Sequence, residues 1–198
     1  MIDEITEYRK LYDTADRFVR EVGEYRDDLD IPALNQLRYA GHHFLKAVDE
    51  DGQVSDMSEL SRARVHCQRA MYDASEAGIQ QAIREIQDFR DEFREIVVTD
   101  VVADYLSIVA GQERATKVIV AGRAERESAE RQAGEYMELF RGLRESVGLL
   151  DAARDDLNAK KLAIGRERRR YNSHLALIAL AALASLAIAT SNFMGLFH

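Results

Sequence analysis

The C-terminal stretch limits what this chain can fold into more than any other part. From Leu175 to Ala189 the only polar residue is Ser185, and the segment runs on through Thr190, Ser191 and Asn192 into Phe193 and Met194. At about 1.5 Å of rise per residue, twenty-odd residues of helix reach roughly 30–35 Å, the thickness of a bilayer's hydrocarbon core. Just upstream, Lys160, Lys161, Arg166, Arg168, Arg169 and Arg170 gather. Such a cluster keeps its side of a membrane segment cytoplasmic and attracts anionic headgroups by about 1 kcal/mol per residue. The expectation is a single-pass transmembrane helix over 173–198, in contact with membrane lipids, with the body on the cytoplasmic face (of the inner membrane, if the source is bacterial).

The remainder reads as helix throughout. One proline (Pro32) and 11 glycines leave little turn chemistry for sheets, while Ala, Leu, Glu and Arg dominate. A first helix is predicted from Ile2 to about Tyr25, with Ile5, Tyr8, Tyr12, Ala15, Val19 and Val22 as its seam, widened by Leu11 and Phe18. Asp30 reads as an N-cap with Pro32 in the first turn of a second helix, whose apolar face is Leu34, Leu37, Gly41, Phe44, Leu45 and Val48. After the loop at Asp49-Glu50-Asp51-Gly52, Asp56 and Glu59 cap a third helix. Its apolar track continues past the β-branched run at Ile96–Val102 to Ile108, with a kink or break near Thr99-Asp100. From Ser128 to about Arg170, Tyr136, Leu143, Leu150, Leu157 and Ile164 recur at seven-residue intervals and predict one long helix passing straight into the membrane segment. The fold class is therefore all-α: an elongated cytosolic helical bundle with a coiled-coil-like stalk and one C-terminal transmembrane helix. Its divisions are a cytosolic helical domain over 1–127, a long stalk with a basic end over 128–172, and the membrane helix over 173–198. Apolar stripes longer than one small bundle needs predict a homo-oligomer.

Charge and chemistry narrow the function. The net charge is −8, and residues 1–31 hold ten acids against five bases, so the first helix should repel nucleic acid and anionic lipid. The single cysteine, Cys67, cannot form an internal disulfide and fits a reducing compartment. No P-loop, dinucleotide fingerprint, H-E-x-x-H or paired C-x-x-C occurs, so neither a cofactor nor a metal is implied. Two basic clusters, Arg38 and His42 on the second helix and Arg62, His66 and Arg69 on the third, form a candidate ligand site for a phosphate, a nucleotide or a nucleic-acid strand. The competing reading is that these groups make inter-helix ion pairs. Within the terminal segment, Ala181, Ser185 and Ala189 lie four apart, and Asn192 shares their face. They suit close helix packing or, in an oligomer, the wall of a pore, against the plainer reading of a passive anchor.

Two resemblances bear on function. The stretch Arg38-Tyr39-Ala40-Gly41-His42-His43 resembles the Arg-x4–6-His motif of helical HEPN-type ribonucleases. That likeness implies RNA cleavage by Arg38 and His43. In layout, a helical body joined to a membrane helix resembles the small membrane-perturbing effectors of bacterial anti-phage defence. The preferred expectation is a non-enzymatic protein with no catalytic set, whose body binds a ligand or protein partner and whose membrane helices form a gated pore. A passive scaffold and a membrane-tethered ribonuclease are the alternatives.

Overall fold

A computed structural model describes the backbone of residues 2–195, without the side chains of residues 2, 3, 129 and 186–195. Among the described residues it is helical with no strand, as its composition requires. Its helices are α1 (Ile2–Arg26), α2 (Ile31–Ala47), α3 (Met57–Glu92), α4 (Tyr105–Ala124), α5 (Arg126–Arg131), α6 (Ala133–Ala152) and α7 (Arg154–Gly195).

The caps read from sequence are in place. Asp30 Oδ1 accepts from the Ala33 amide at 3.0 Å, and Pro32 sits in the first turn of α2. Asp56 Oδ1 accepts from the amides of Ser58 and Glu59 at 2.8 and 3.2 Å, which starts α3. Between these helices Asp49 Oδ1 takes the Gln53 amide, Gly52 adopts a positive φ of 73°, and a single bridge joins Val48 to Val54. The loop thus satisfies its own backbone groups, as a short connection between antiparallel helices must.

α3 is the spine. Its 36 residues span about 54 Å. Leu60, Cys67, Met71, Tyr72, Ile79, Ile86 and Phe89 are all buried along it. α1 runs parallel to it, from Arg64 paired with Glu4 to Tyr25, whose hydroxyl donates to Glu85 at 2.5 Å. α2 lies antiparallel against the first half, with Gln36 beside His66 and His43 beside Glu59. α4 returns antiparallel along the second half, where Gln112 meets Ile83 and Arg90. α6 runs parallel there, with its Phe140 ring over Gly78 and edge-on to Phe18 and Tyr25.

Several expectations change. On α2 the buried residues are Ala33, Leu37, Ala40 and Ala47, whereas Leu34 and Leu45 are exposed. The close approach of α2 to α3 is made by alanines, so the larger leucines fall outside it. The long third helix ends at Glu92. A turn follows, with Phe93 and Val98 tucked into the core, before α4 starts at Tyr105. The predicted helix from Ser128 is divided at Gln132 and Ala153, and most of it belongs to the body rather than to a stalk. Its seven-residue series is buried at Tyr136, Leu143, Leu150 and Leu157 and then stops, since Ile164 is exposed.

Beyond Leu157, α7 leaves the body, held at its root by Arg154 to Glu92, by Lys160 to Asp100 and by Lys161 to the Glu92 carbonyl. The helix continues unbroken into the apolar segment, as the sequence predicts. Among the described residues, no helix is long and apolar enough to cross a membrane. The side chains of that segment are described only as far as Ser185.

Two helical glycines separate packing from propensity. A Cβ at Gly78 would lie 2.7 Å from the buried Phe140 ring, whereas one at Gly41 would meet nothing within 4 Å. Gly78→Ala should cost about 1–3 kcal/mol by overpacking. Gly41→Ala should stabilise by about 0.5–1 kcal/mol, the helix preference for alanine. Chemical denaturation of the two variants beside the parent checks both signs.

Candidate functional site

At the N-terminal end of α3, four aromatic rings of α2 and α3 meet. The rings of His43 and His66 stack with centroids 5.1 Å apart and planes 8° from parallel. Polar partners hold each from behind. His43 Nδ1 donates to Glu59 Oε2 at 2.6 Å, and His66 Nδ1 donates to Gln36 Oε1 at 2.7 Å. Tyr39 leans on His66 with centroids 5.5 Å apart, and the Arg38 guanidinium lies 5.2 Å from the centre of the Tyr39 ring. His42 packs edge-on to His43 and faces solvent. The His43 hydrogen bond and, more weakly, the nearby charge of Arg62 hold the Glu59 carboxyl below its ordinary range.

Of the predicted ligand-binding residues, Arg38, His42 and His66 therefore do come together. Arg62 sits at the edge, committed to Glu59 at 2.8 Å. Arg69 does not join them. Its Nε donates to Glu130 at 2.8 Å in a separate network, where Glu130 also accepts from Arg126 at 3.0 Å and Arg126 pairs with Asp73. Arg123 extends that network to Glu76 at 2.5 Å. It clamps the short α5 onto α3, so the ion-pair reading holds for Arg62 and Arg69. The groups missed from sequence are Tyr39, Gln36 and Glu59. Tyr39 shared a helix face with Arg38 and His42, but the partners of the histidines come from a second element.

Arg38 and His43 are five residues apart on one regular helix. They therefore point about 140° away from each other. His43 is engaged by Glu59 and its side chain is only 19% exposed. Cys67 is buried, and burial pushes its thiol up to about 12, far from a reactive thiolate. Among the described residues, no three His, Cys, Asp or Glu side chains are grouped to hold a metal ion.

The second candidate is α7. Leu175, Leu177, Ile178, Leu180 and Leu183 are all exposed, between 47% and 65%. Successive residues on a helix are about 100° apart, so these five surround its axis rather than marking one face. Arg166, Arg168, Arg169 and Arg170 immediately precede them, all exposed. None of the four has a carboxylate partner among the described residues, whereas arginines of the body such as Arg20, Arg64, Arg141 and Arg154 do. Ala181 and Ser185 are exposed on this segment, and Ser185 Oγ donates to the Ala181 carbonyl at 2.9 Å. The side chains of Ala189 and Asn192 lie outside the described residues.

No family model matches the chain, and neither a curated protein nor a solved structure matches it.

Two titrating groups give the body opposite pH responses. Burial, with His43 and Arg69 nearby, lowers the pKa of His66. The unfolded chain therefore takes up this proton first, so stability present above about pH 6.5 is lost as the pH falls below it. Asp73 is pushed up to about 6 by burial and by Asp30, Glu130 and Glu76, which outweigh Arg126. Its contribution is complete below about pH 4 and is lost as the pH rises through 6. In melts across pH 4–8, His66→Gln should flatten the loss on acidification. Asp73→Asn should instead increase the stability difference between pH 8 and pH 4.5.

Proposed function

We propose that this protein is a non-enzymatic, membrane-attached helical domain whose α7 enters the bilayer and whose body is presented on the cytoplasmic side. The observation that carries this reading is the exposed stretch 175–185, which has no charged residue and has large aliphatics on every side of the helix. A helix apolar all round needs an apolar surrounding. Burying five such side chains from their present exposure contributes on the order of 1–2 kcal/mol each. The apolar sequence continues to Ala189, which extends the run toward the roughly twenty residues that span a hydrocarbon core. The arginine collar supports the same reading, since unpaired guanidiniums at the foot of such a segment suit anionic headgroups.

Copies of α7 lying side by side would pack through Ala181 and Ser185, whose small side chains let helix backbones approach. The narrower reading, a pore lined by Ser185, is less well supported. That hydroxyl already donates to its own helix, which leaves it only acceptor capacity. Anchoring with lateral association is therefore the function advanced.

Vesicle flotation tests it. The full chain should float with vesicles containing anionic phospholipid, and an Ile178→Glu/Leu180→Glu double variant should remain at the bottom. Replacing Arg166, Arg168, Arg169 and Arg170 by glutamine should weaken binding to anionic vesicles about a thousandfold, at about 1 kcal/mol per residue. The proposal fails if the parent chain stays soluble beside the vesicles, or if the glutamate variant floats equally well.

A further inference from the structure

We propose that the exposed face of α2 binds a nucleotide unit, one aromatic base with its phosphates, taken either as a free nucleotide or within a single strand. This inference is independent of how α7 is used.

α2 carries Arg38, His42, His43 and Lys46 and no acidic residue, in a chain whose net charge is −8. Arg38, His42 and Lys46 follow one another at four-residue spacing, about 6 Å apart along the axis and on one face. All three are exposed, and neither Arg38 nor Lys46 forms an ion pair among the described residues. Tyr39, 44% exposed, stands beside this row. A phosphate chain running along the row would meet the Arg38 guanidinium, the His42 imidazole and the Lys46 ammonium at successive helical turns, and a base would stack at the Tyr39 end. Stacking on an aromatic ring next to a cationic track is how base-containing ligands are held without a deep pocket.

The platform is built rather than incidental. Tyr39 rests on His66, His66 stacks on His43, and Gln36 and Glu59 fix the two imidazoles. This polar scaffold adds no apolar burial to the core, but it holds the exposed ring in one orientation.

Several acids nearby are occupied, whereas Glu50 and Asp51 lie exposed in the loop just past the Lys46 end of the row. Glu59 is engaged by His43 and Arg62, Asp56 caps α3, and Glu4 and Glu7 are tied to Arg64. The acidic α1 reaches α2 through the stacked Tyr8 and Phe44 rings. Phe44 is two residues from His42 and so lies about 200° around the helix, away from the proposed track.

The test is fluorescence anisotropy on the full chain in neutral detergent, with a labelled 12-nucleotide single strand and a labelled nucleoside triphosphate as separate probes. At low salt at least one probe should bind. Tyr39→Leu should weaken that binding about tenfold, the scale of one lost base stack. Tyr39→Phe should retain it. Arg38→Ala/Lys46→Ala should reduce the slope of log affinity against log salt by about 1.4 for a strand. Lys117→Ala, on α4, should change little. A strand displaced by unlabelled triphosphate identifies the free nucleotide as sufficient, and a strand not so displaced identifies the polymer. The proposal is overturned if neither probe binds at 50 mM salt, or if Tyr39→Leu binds as well as the parent while keeping the parent's helical melt.

Discussion

The contact of α6 with α3 at Phe140 and Gly78 is the constraint on which the layout of this molecule depends. Phe140 is fully buried, and its ring occupies the space a side chain at position 78 would need. It also meets Phe18 and Tyr25 of α1, so one side chain joins three helices. The seven-residue series then fixes the rotation of the rest of α6 and the start of α7, since Leu143, Leu150 and Leu157 reach the core in turn. α7 starts one residue past Ala153 and inherits that heading. Arg154 and Lys161 secure its root, lying over Phe89 and Phe93 and reaching Glu92. The direction in which α7 leaves the body is thus set by the packing of α6 a full helix earlier.

Electrostatics divides the same structure into satisfied and unsatisfied regions. The body is acidic overall, yet its inward-facing carboxylates are paired: Glu130 holds Arg69 and Arg126, Glu21 holds Arg141 and Arg144, and Glu92 holds Arg154. Surface pairs of this kind add little stability individually. Cations without an ion pair among the described residues include Arg38 and Lys46 on α2 and the four arginines at 166–170 of α7, at opposite ends of the spine, as well as Arg94 and Arg114 between them.

The chain made its helices, caps and overall class legible because these follow from local rules. Asp30 and Asp56 cap where a side-chain oxygen precedes an apolar-periodic run, and the apolar residues of α1 at spacings of three and four predict its buried face, with Tyr8, Ala15, Phe18, Val19 and Val22 all buried. Failures came where a second element decides. Leu34 and Leu45 match α2's helical period, but the face that meets α3 is built from Ala33, Ala40 and Ala47 with Leu37, and the two leucines fall outside it. The break expected near Thr99-Asp100 is present, but the interruption begins already after Glu92, where Phe93 and Val98 dock into the core. The candidate site divided in the same way. Arg38 and His42 were readable from spacing, while Tyr39 gained its significance from His66 and Gln36. Arg69 was lost to Glu130, which lies 61 residues away. Ion-pair partners at that separation leave no trace in a one-dimensional pattern.

The two unsatisfied ends also bear on how they could communicate. α3 is about 54 Å long, and α2 touches its first half while α7 is rooted at its last turn. A ligand on α2 influences α7 only if it binds two arrangements of the intervening helices with different affinity. The core between them is tightly filled, with Tyr72, Ile79, Ile86 and Phe140 fully buried, which favours discrete repacking over gradual bending. Along that route α5 is held by charge, clamped through Asp73, Glu130, Arg69 and Arg126. Arg69 lies one turn beyond His66 on α3, on the same helical face. The histidine stack and the α5 clamp thus lie one helical turn apart on α3, and the clamp adjoins the start of α6.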